Sequence, residues 1–143
     1  MQISGKYTHS GLLLLRVGLG ILYIFHGFPK LLGGPDVWEE YGEAIQFLGI
    51  SAYPIFFGFL TAIAEVFGGV FLILGLFMKP ILILLIITMV VATFHLIGEG
   101  NPYAIYSHPL KMVIVFMALL CIGPGKYSMD DKMNRNLNRN LMR

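Results

Sequence analysis

Residues 53–78 read YPIFFGFLTAIAEVFGGVFLILGLFM and carry one charged side chain, Glu65. The stretch is longer than the roughly 20 residues that an α-helix needs to cross the hydrocarbon core of a bilayer. An ionised side chain near the bilayer centre costs about 2.5 kcal/mol or more, so it usually faces the interior of a helix bundle and marks a working site. The stretch therefore predicts a membrane-spanning helix, and Glu65 is the first candidate functional residue.

The composition of the whole chain indicates an integral membrane protein. Its 143 residues are 57% hydrophobic and 13% charged, whereas soluble domains carry about 25% charged residues. The single cysteine, Cys121, excludes an intramolecular disulfide and any CxxC motif. We find no nucleotide-binding loop, Rossmann fingerprint or nucleophile elbow in the sequence. Catalysis of the soluble type and a nucleic-acid partner are therefore not expected.

Four apolar stretches predict an all-α membrane bundle of four helices. The loop between the first two has apolar residues at helical spacing, which predicts a short amphipathic helix on the membrane surface. We expect the third helix to follow the second directly, joined at Lys79 and Pro80. The predicted membrane domain covers residues 1–127, and the basic tail, 128–143, is expected to be disordered or to lie on the surface. The predicted spans are residues 10–32, 54–78, 80–98 and 107–122.

Basic residues near the helix ends predict the orientation of the chain, because cytoplasmic loops are enriched in lysine and arginine. With four spans, both termini and the joint between the second and third helices lie on one side. We therefore expect a multi-pass protein of a bacterial or archaeal plasma membrane with both termini in the cytoplasm. The basic residues on that side are Lys6, Lys79, Lys126, Lys132, Arg135, Arg139 and Arg143.

Three ionisable side chains on different predicted helices fall at a similar depth. At 1.5 Å per residue, His26, His95 and Glu65 lie roughly 24, 22 and 20 Å from the predicted cytoplasmic ends of their helices. They are expected to form a polar catalytic centre in the outer half of the bundle. Arg16 lies only about 9 Å from that edge. Glu65 is therefore expected to be protonated or paired with a histidine, not with Arg16.

Small and polar residues on the first two helices predict close helix packing around this centre. Glycines on the Glu65 helix would let neighbouring backbones approach. A stripe on the first helix, which also carries Gly20 and Gly27, supplies further candidate ligands. Each has a simpler interpretation: a membrane histidine is often a structural hydrogen-bonding residue, and lysine and arginine often extend to the membrane surface. The candidate cofactor-binding residues are His26, His95, Tyr23, Arg16 and Lys30.

The chemistry of these side chains suits a quinone. Quinone carbonyls need hydrogen-bond donors, quinone reduction needs proton carriers, and the quinone tail needs access to lipid. The two histidines could instead ligate a haem, because imidazole suits iron. No residues have the spacing of a dedicated metal site, so no bound metal is expected. A proton relay or a small-solute transporter would need similar intramembrane groups.

The order and spacing of these residues resemble the DoxX family of small four-helix membrane proteins. The matching motifs are Arg16-x3-Gly20-x2-Tyr23-x3-Gly27-x2-Lys30, Glu65-x2-Gly68-Gly69-x2-Leu72-x2-Gly75, Ala92-x2-His95 and Gly123-Pro124-Gly125-Lys126-Tyr127-Ser128-Met129-Asp130. The resemblance implies a link to thiosulfate:quinone oxidoreductase and quinol-oxidase activity. Other members of the family look like membrane proteins that act as partners of redox-defence enzymes.

These observations lead to one principal functional hypothesis and two alternatives. The principal one is a membrane subunit of a quinone-linked oxidoreductase, in which His26, Glu65 and His95 handle protons at a quinone head group. The first alternative is a non-catalytic scaffold that recruits soluble redox enzymes or other oxidoreductase subunits through its basic tail. The second is a proton-coupled small-solute transporter.

Overall fold

The computed structural model describes residues 5–141 and confirms the all-α fold. No strand occurs in this part of the chain. Four of its helices are long and apolar enough to cross a membrane, namely α1, α3, α4 and α5. The outer limits predicted for the membrane domain and the tail, residues 1 and 143, lie outside the described residues. The elements are α1 (Gly5–Leu32), α2 (Gly34–Gly42), a 3₁₀ segment (Glu43–Leu48), α3 (Pro54–Leu74), α4 (Met78–Gly98), α5 (Tyr103–Ile122) and α6 (Met129–Leu141).

Helices α1 and α3 are antiparallel and pack in close contact through glycines. A methyl group added at Gly20 would lie 2.5 Å from the backbone oxygen of Gly69, and one at Gly69 would lie 2.6 Å from the oxygen of Gly20. One added at Gly27 would lie 2.8 Å from Cβ of Glu65. These contacts leave no room for a side chain, and such small residues allow close backbone approach in lipid. The packing holds Glu65 against α1.

The turn between α3 and α4 comes earlier than the sequence suggested. Helix α3 ends at Leu74 because Gly75 adopts a left-handed conformation, with φ of 64°. The N–H of Leu76 then donates to the carbonyl of Phe71 at 3.1 Å, which is the hydrogen bond of a Schellman motif. The connection is therefore residues 75–77, and Pro80 lies in the first turn of α4. The prediction of a joint at Lys79 and Pro80 was wrong: both residues lie in α4, and the connection begins four residues earlier, at Gly75.

Two other boundaries differ from the sequence prediction. Helix α5 begins at Tyr103, four residues before the predicted start, and contains Pro109. Proline is compatible with a helix where neighbouring groups can satisfy the freed backbone, as in membrane bundles. The tail, expected to be disordered or surface-lying, forms helix α6, none of whose residues is buried. The side chain of Ser128 begins α6 by accepting a hydrogen bond from the N–H of Asp131 at 3.1 Å.

The bundle consists of two close pairs, α1 with α3 and α4 with α5, joined by the α3–α4 turn. We call the end with this turn the terminal end, and the opposite end the α2 end. A core of aliphatic and aromatic side chains fills the terminal half, including Leu12, Leu72, Leu82 and Phe116. The ring of Tyr23 meets that of Phe116 at 5.1 Å and marks the top of this core. Beyond Tyr23 the two pairs enclose a cavity.

Helix α2 and the 3₁₀ segment cover the α2 end of the bundle. The expected amphipathic helix is thus present, but it also packs against α3. An added Cβ at Gly58 would collide with the backbone of Trp38, and one at Gly42 with the backbone of Pro54. The rings of Trp38 and Phe59 lie 4.7 Å apart. This segment forms a roof over the cavity.

Candidate functional site

A cavity of about 970 Å³ occupies the α2 half of the bundle. Its walls come from α1, α3, α4 and α5, and its roof from α2 and the 3₁₀ segment. Its size lies at the upper end of the range for small-molecule pockets, which are mostly apolar with a few well-placed polar groups. The lining is apolar in this manner. Five of the six predicted site residues reach it: Tyr23, His26, Lys30, Glu65 and His95.

Glu65 is paired with Lys30. The Lys30 ammonium donates to Glu65 Oε1 at 2.7 Å, and the two side chains are only 9% and 1% exposed. Lys30 also lies over the ring of Tyr41, 4.3 Å from its centroid, at the distance of a cation–π contact. The cavity therefore has an ion pair in its wall. The expectation that a histidine pairs with Glu65 was wrong, because its partner is Lys30.

The direction of helical side chains explains this pairing. Side chains on an α-helix lean toward its N-terminus. Lys30, near the end of α1, therefore leans down into the bundle instead of out toward the membrane surface. Glu65 lies on the antiparallel α3 and leans up toward the α2 end. The depths counted along the sequence at 1.5 Å per residue did not include these inclinations of the side chains.

Two buried polar atoms beside the ion pair have no hydrogen-bond partner among the described residues. They are the second carboxylate oxygen of Glu65, Oε2, and the hydroxyl of Tyr23. Glu65 is 1% exposed and Tyr23 is 6% exposed. Buried polar groups are nearly always hydrogen-bonded, and each exception calls for an explanation. Since both residues line the cavity, a bound molecule with polar groups would explain them.

The histidines lie on opposite walls of the cavity. His26 comes from α1, whereas His95 comes from α4 and His108 from α5. His95 contacts Glu99 through Nε2 at 3.4 Å and the ring of Phe47 at 5.6 Å. Neither His26 nor His95 is the ion-pair partner of Glu65. Within residues 5–141, no group of three or more His, Cys, Asp or Glu side chains is arranged to hold a metal ion.

The roof adds two residues that the sequence did not single out as part of the site. The indole Nε1 of Trp38 donates to the carbonyl of Lys30 at 2.9 Å, which fixes the roof to the end of α1. Tyr41 covers the Lys30 ammonium. Burial, followed by the charges of Glu40 and Glu65, raises the pKa of Tyr41 above its ordinary value. The signal in the sequence was the helical spacing that points Tyr41 toward the bundle.

Arg16, the sixth predicted site residue, lies at the terminal end and not at the cavity. It is fully buried, and its Nη2 donates to the carbonyl of Tyr127 at 3.2 Å. The Asp130 carboxylate accepts from the backbone N–H groups of Phe77 and Met78, each at 2.9 Å. A Cβ added at Gly75 would collide with Nη1 of Arg16, and the N–H of Asp130 donates to the Gly75 carbonyl at 3.0 Å. We call the set Arg16, Gly75, Tyr127 and Asp130 the terminal clasp.

The cavity opens sideways between the helix pairs. Helices α1 and α5 hardly approach each other, and the rings of Tyr23 and Phe116 bridge them only at the cavity floor. Above that contact, Leu22 and His26 on α1 and Ile105 on α5 line the cavity and are also exposed. These surfaces belong to helices long and apolar enough to cross a membrane. These exposed lining residues therefore lie on the sides of the bundle that a bilayer would surround.

Comparison with known proteins identifies the family. The chain is 34% identical over 116 residues to "Putative oxidoreductase CatD" of Bacillus subtilis, covering 80% of this chain and 81% of that protein. It is 26% identical to an uncharacterized protein of Haemophilus influenzae, covering 89% and 93% of the two chains. It is 24% identical to "Inner membrane protein YphA" of Escherichia coli, covering 83% and 87%. No solved structure gives a significant match. The DoxX profile matches residues 11–97, and the chain is a membrane protein of the DoxX family.

Proposed function

We propose that this protein is the membrane subunit of a quinone-linked oxidoreductase and that its cavity binds the quinone head group. The observation that carries the proposal is the Lys30–Glu65 ion pair in the wall of a largely apolar cavity of about 970 Å³. A charged pair in a membrane bundle is costly and is usually kept for function. The name of the Bacillus subtilis relative, "Putative oxidoreductase CatD", agrees with this proposal.

The residues present fit both forms of a quinone. The Lys30 ammonium has three protons, of which one is used by Glu65, so it could donate to an oxidised carbonyl. Glu65 Oε2 and the Tyr23 hydroxyl have no hydrogen-bond partner within residues 5–141, so each could accept from a reduced hydroxyl. A bound quinone would supply the transfer of electrons and protons together. The protein's part is to orient the head group and to hold protons at Lys30, Glu65 and the histidines.

The sideways opening suits a ligand that is dissolved in lipid. A quinone tail could remain in the bilayer at the opening between α1 and α5 while the head group enters the cavity. His26 lies at this opening and His95 on the far wall, so each could donate to one side of the head group. A haem held by the same histidines is the competing cofactor. Its Soret absorbance in the purified protein would identify it.

We further propose that both termini face the cytoplasm of a bacterial cell. Five basic residues of the described chain lie at or after the terminal end, as expected for the cytoplasmic side. They are Lys79, Lys126, Lys132, Arg135 and Arg139. The cavity then lies in the outer half of the membrane. Electrons would be exchanged with a soluble redox enzyme or another oxidoreductase subunit at either surface.

Quinone binding can be measured through the single tryptophan, Trp38, which is bonded to the Lys30 carbonyl. A short-tailed benzoquinone and its reduced form are titrated into the purified protein, and fluorescence quenching gives the affinity. Tyr23→Phe should weaken binding of the reduced form about fivefold, the value of one hydrogen bond. Tyr103→Phe is the matched control, since Tyr103 is exposed and does not line the cavity. Equal affinities in both variants, or no saturable binding, would contradict the proposal.

A further inference from the structure

Helix α6 carries an apolar stripe that no part of the described chain covers. Met129, Met133, Leu137 and Leu141 recur at every fourth position, so they lie on one side of the helix. Their exposed fractions rise along the helix, from 41% at Met129 to 78% at Leu141. Asparagines and basic residues occupy the other sides. A helix with this pattern and low overall hydrophobicity is typical of segments that lie in a membrane interface.

The start of α6 is fixed at the terminal end of the bundle. Asp130, in its first turn, accepts hydrogen bonds from the N–H groups of Phe77 and Met78 at the beginning of α4. The N–H of Asp130 donates to the carbonyl of Gly75 at 3.0 Å. Since α4 is a membrane-spanning helix, its first residues lie at the edge of the hydrocarbon core. Helix α6 therefore begins at the level of the lipid head groups.

The charges around α6 complement an anionic surface. Lys132 and Arg139 are exposed on the helix, and no salt bridge of the described chain engages either of them. Lys79 and Lys126 lie nearby at the same end of the bundle. Arg135 differs, because it pairs with Asp131 one turn away. Basic residues at a membrane surface are attracted to anionic lipids.

From these observations we infer that α6 binds the membrane surface, with its apolar stripe in the interface and Lys132 and Arg139 at anionic lipid head groups. The stripe would otherwise leave four apolar side chains in water. This binding is independent of the ligand in the cavity. It also gives the basic tail a role different from recruiting a soluble enzyme, because the face available to a protein would be the asparagine-rich one.

Cysteine accessibility tests this inference. In a Cys121→Ala background, single cysteines replace Met133 and Leu137 on the stripe, or Asn134 and Asn138 as matched controls on other sides. Each protein is placed in nanodiscs of phosphatidylglycerol and phosphatidylcholine, which leave both membrane faces open to a water-soluble maleimide. We expect the stripe positions to react roughly tenfold more slowly than the controls, because the interface shields them. Adding Lys132→Gln and Arg139→Gln, or using phosphatidylcholine alone, should reduce this difference.

Two outcomes would overturn the inference. Equal labelling rates at all four positions would show that the stripe is in water. Protection that persists in detergent and grows with protein concentration would show that a second copy of the chain covers the stripe. Tryptophan fluorescence from Trp38 serves as the check that each variant retains the roof of the cavity.

Discussion

Removing either partner of the Lys30–Glu65 pair should destabilise the protein far more than removing both. The relevant variants are Lys30→Met and Glu65→Gln, which are close in shape to the native residues and carry no charge. Each single change leaves one ion without its partner in a site where the side chains are 9% and 1% exposed. The double variant has no unpaired ion. A double-mutant cycle therefore isolates the interaction.

The size of the effect follows from the geometry. At 2.7 Å and an effective dielectric constant of about 20, two unit charges attract by about 6 kcal/mol before desolvation is counted. Desolvation offsets much of this attraction, and breaking a buried pair by removing one partner costs about 3–5 kcal/mol. Replacing both partners by uncharged groups is often close to neutral. We therefore expect each single variant to lose about 3–5 kcal/mol and the double variant to lose less than either.

Unfolding in mixed micelles, with increasing sodium dodecyl sulfate, provides the measurement. Far-ultraviolet circular dichroism follows the helices, and the fluorescence of Trp38 follows the roof. Trp38 is suitable because it bonds the Lys30 carbonyl and not the Lys30 side chain. The reasoning is refuted if Lys30→Met unfolds with the native protein, or if the losses in the two single variants simply add in the double variant.

Three further outcomes are expected. Gly27→Ala should cost about 1–3 kcal/mol of stability, because its new methyl group would lie 2.8 Å from Cβ of Glu65. Gly18→Ala, whose new methyl group would meet no atom of the described residues within 4 Å, should cost no stability in the same unfolding assay. Asp130→Ala should cost about 1–2 kcal/mol by removing the cap of α4, and more than Asp131→Ala, whose surface pair with Arg135 contributes less. Tyr41, whose pKa is raised by partial burial and by the charges of Glu40 and Glu65, should ionise at higher pH than a free tyrosine. The difference in near-ultraviolet absorbance between the native protein and Tyr41→Phe measures this shift, and a normal titration would contradict the placement of Tyr41 beside these carboxylates.

The membrane fold could be predicted from the sequence because length and hydropathy decide it. A long apolar stretch such as residues 53–78 has few stable structures other than a membrane-spanning helix. The helix boundaries were harder to predict from the sequence. The end of α3 depends on the left-handed conformation of Gly75, and α6 depends on the anchoring of Asp130 at α4. Both are tertiary features that a hydropathy pattern does not contain.

The sequence predicted which residues line the site better than it predicted which of them pair. Tyr23, His26, Lys30, Glu65 and His95 were all named, and all line the cavity. Their partners could not be deduced from residue depth, because the inclination of side chains moves the charged groups by several ångströms. Arg16 shares a stripe with Lys30 on α1, yet the length of the helix separates them. Residues of one stripe therefore lie at two sites: Lys30 lines the cavity, and Arg16 belongs to the terminal clasp.

The terminal clasp has a consequence for how the protein is made. Asp130, which meets Arg16 at Gly75 in this clasp, is synthesised more than a hundred residues after it. Until Asp130 is synthesised, Arg16 in the first span and the free N–H groups at the start of α4 lack this carboxylate. The first turn of α6 thus completes the bundle that the first span began. A chain that ends before residue 130 would contain every spanning helix, but its terminal end would lack the clasp.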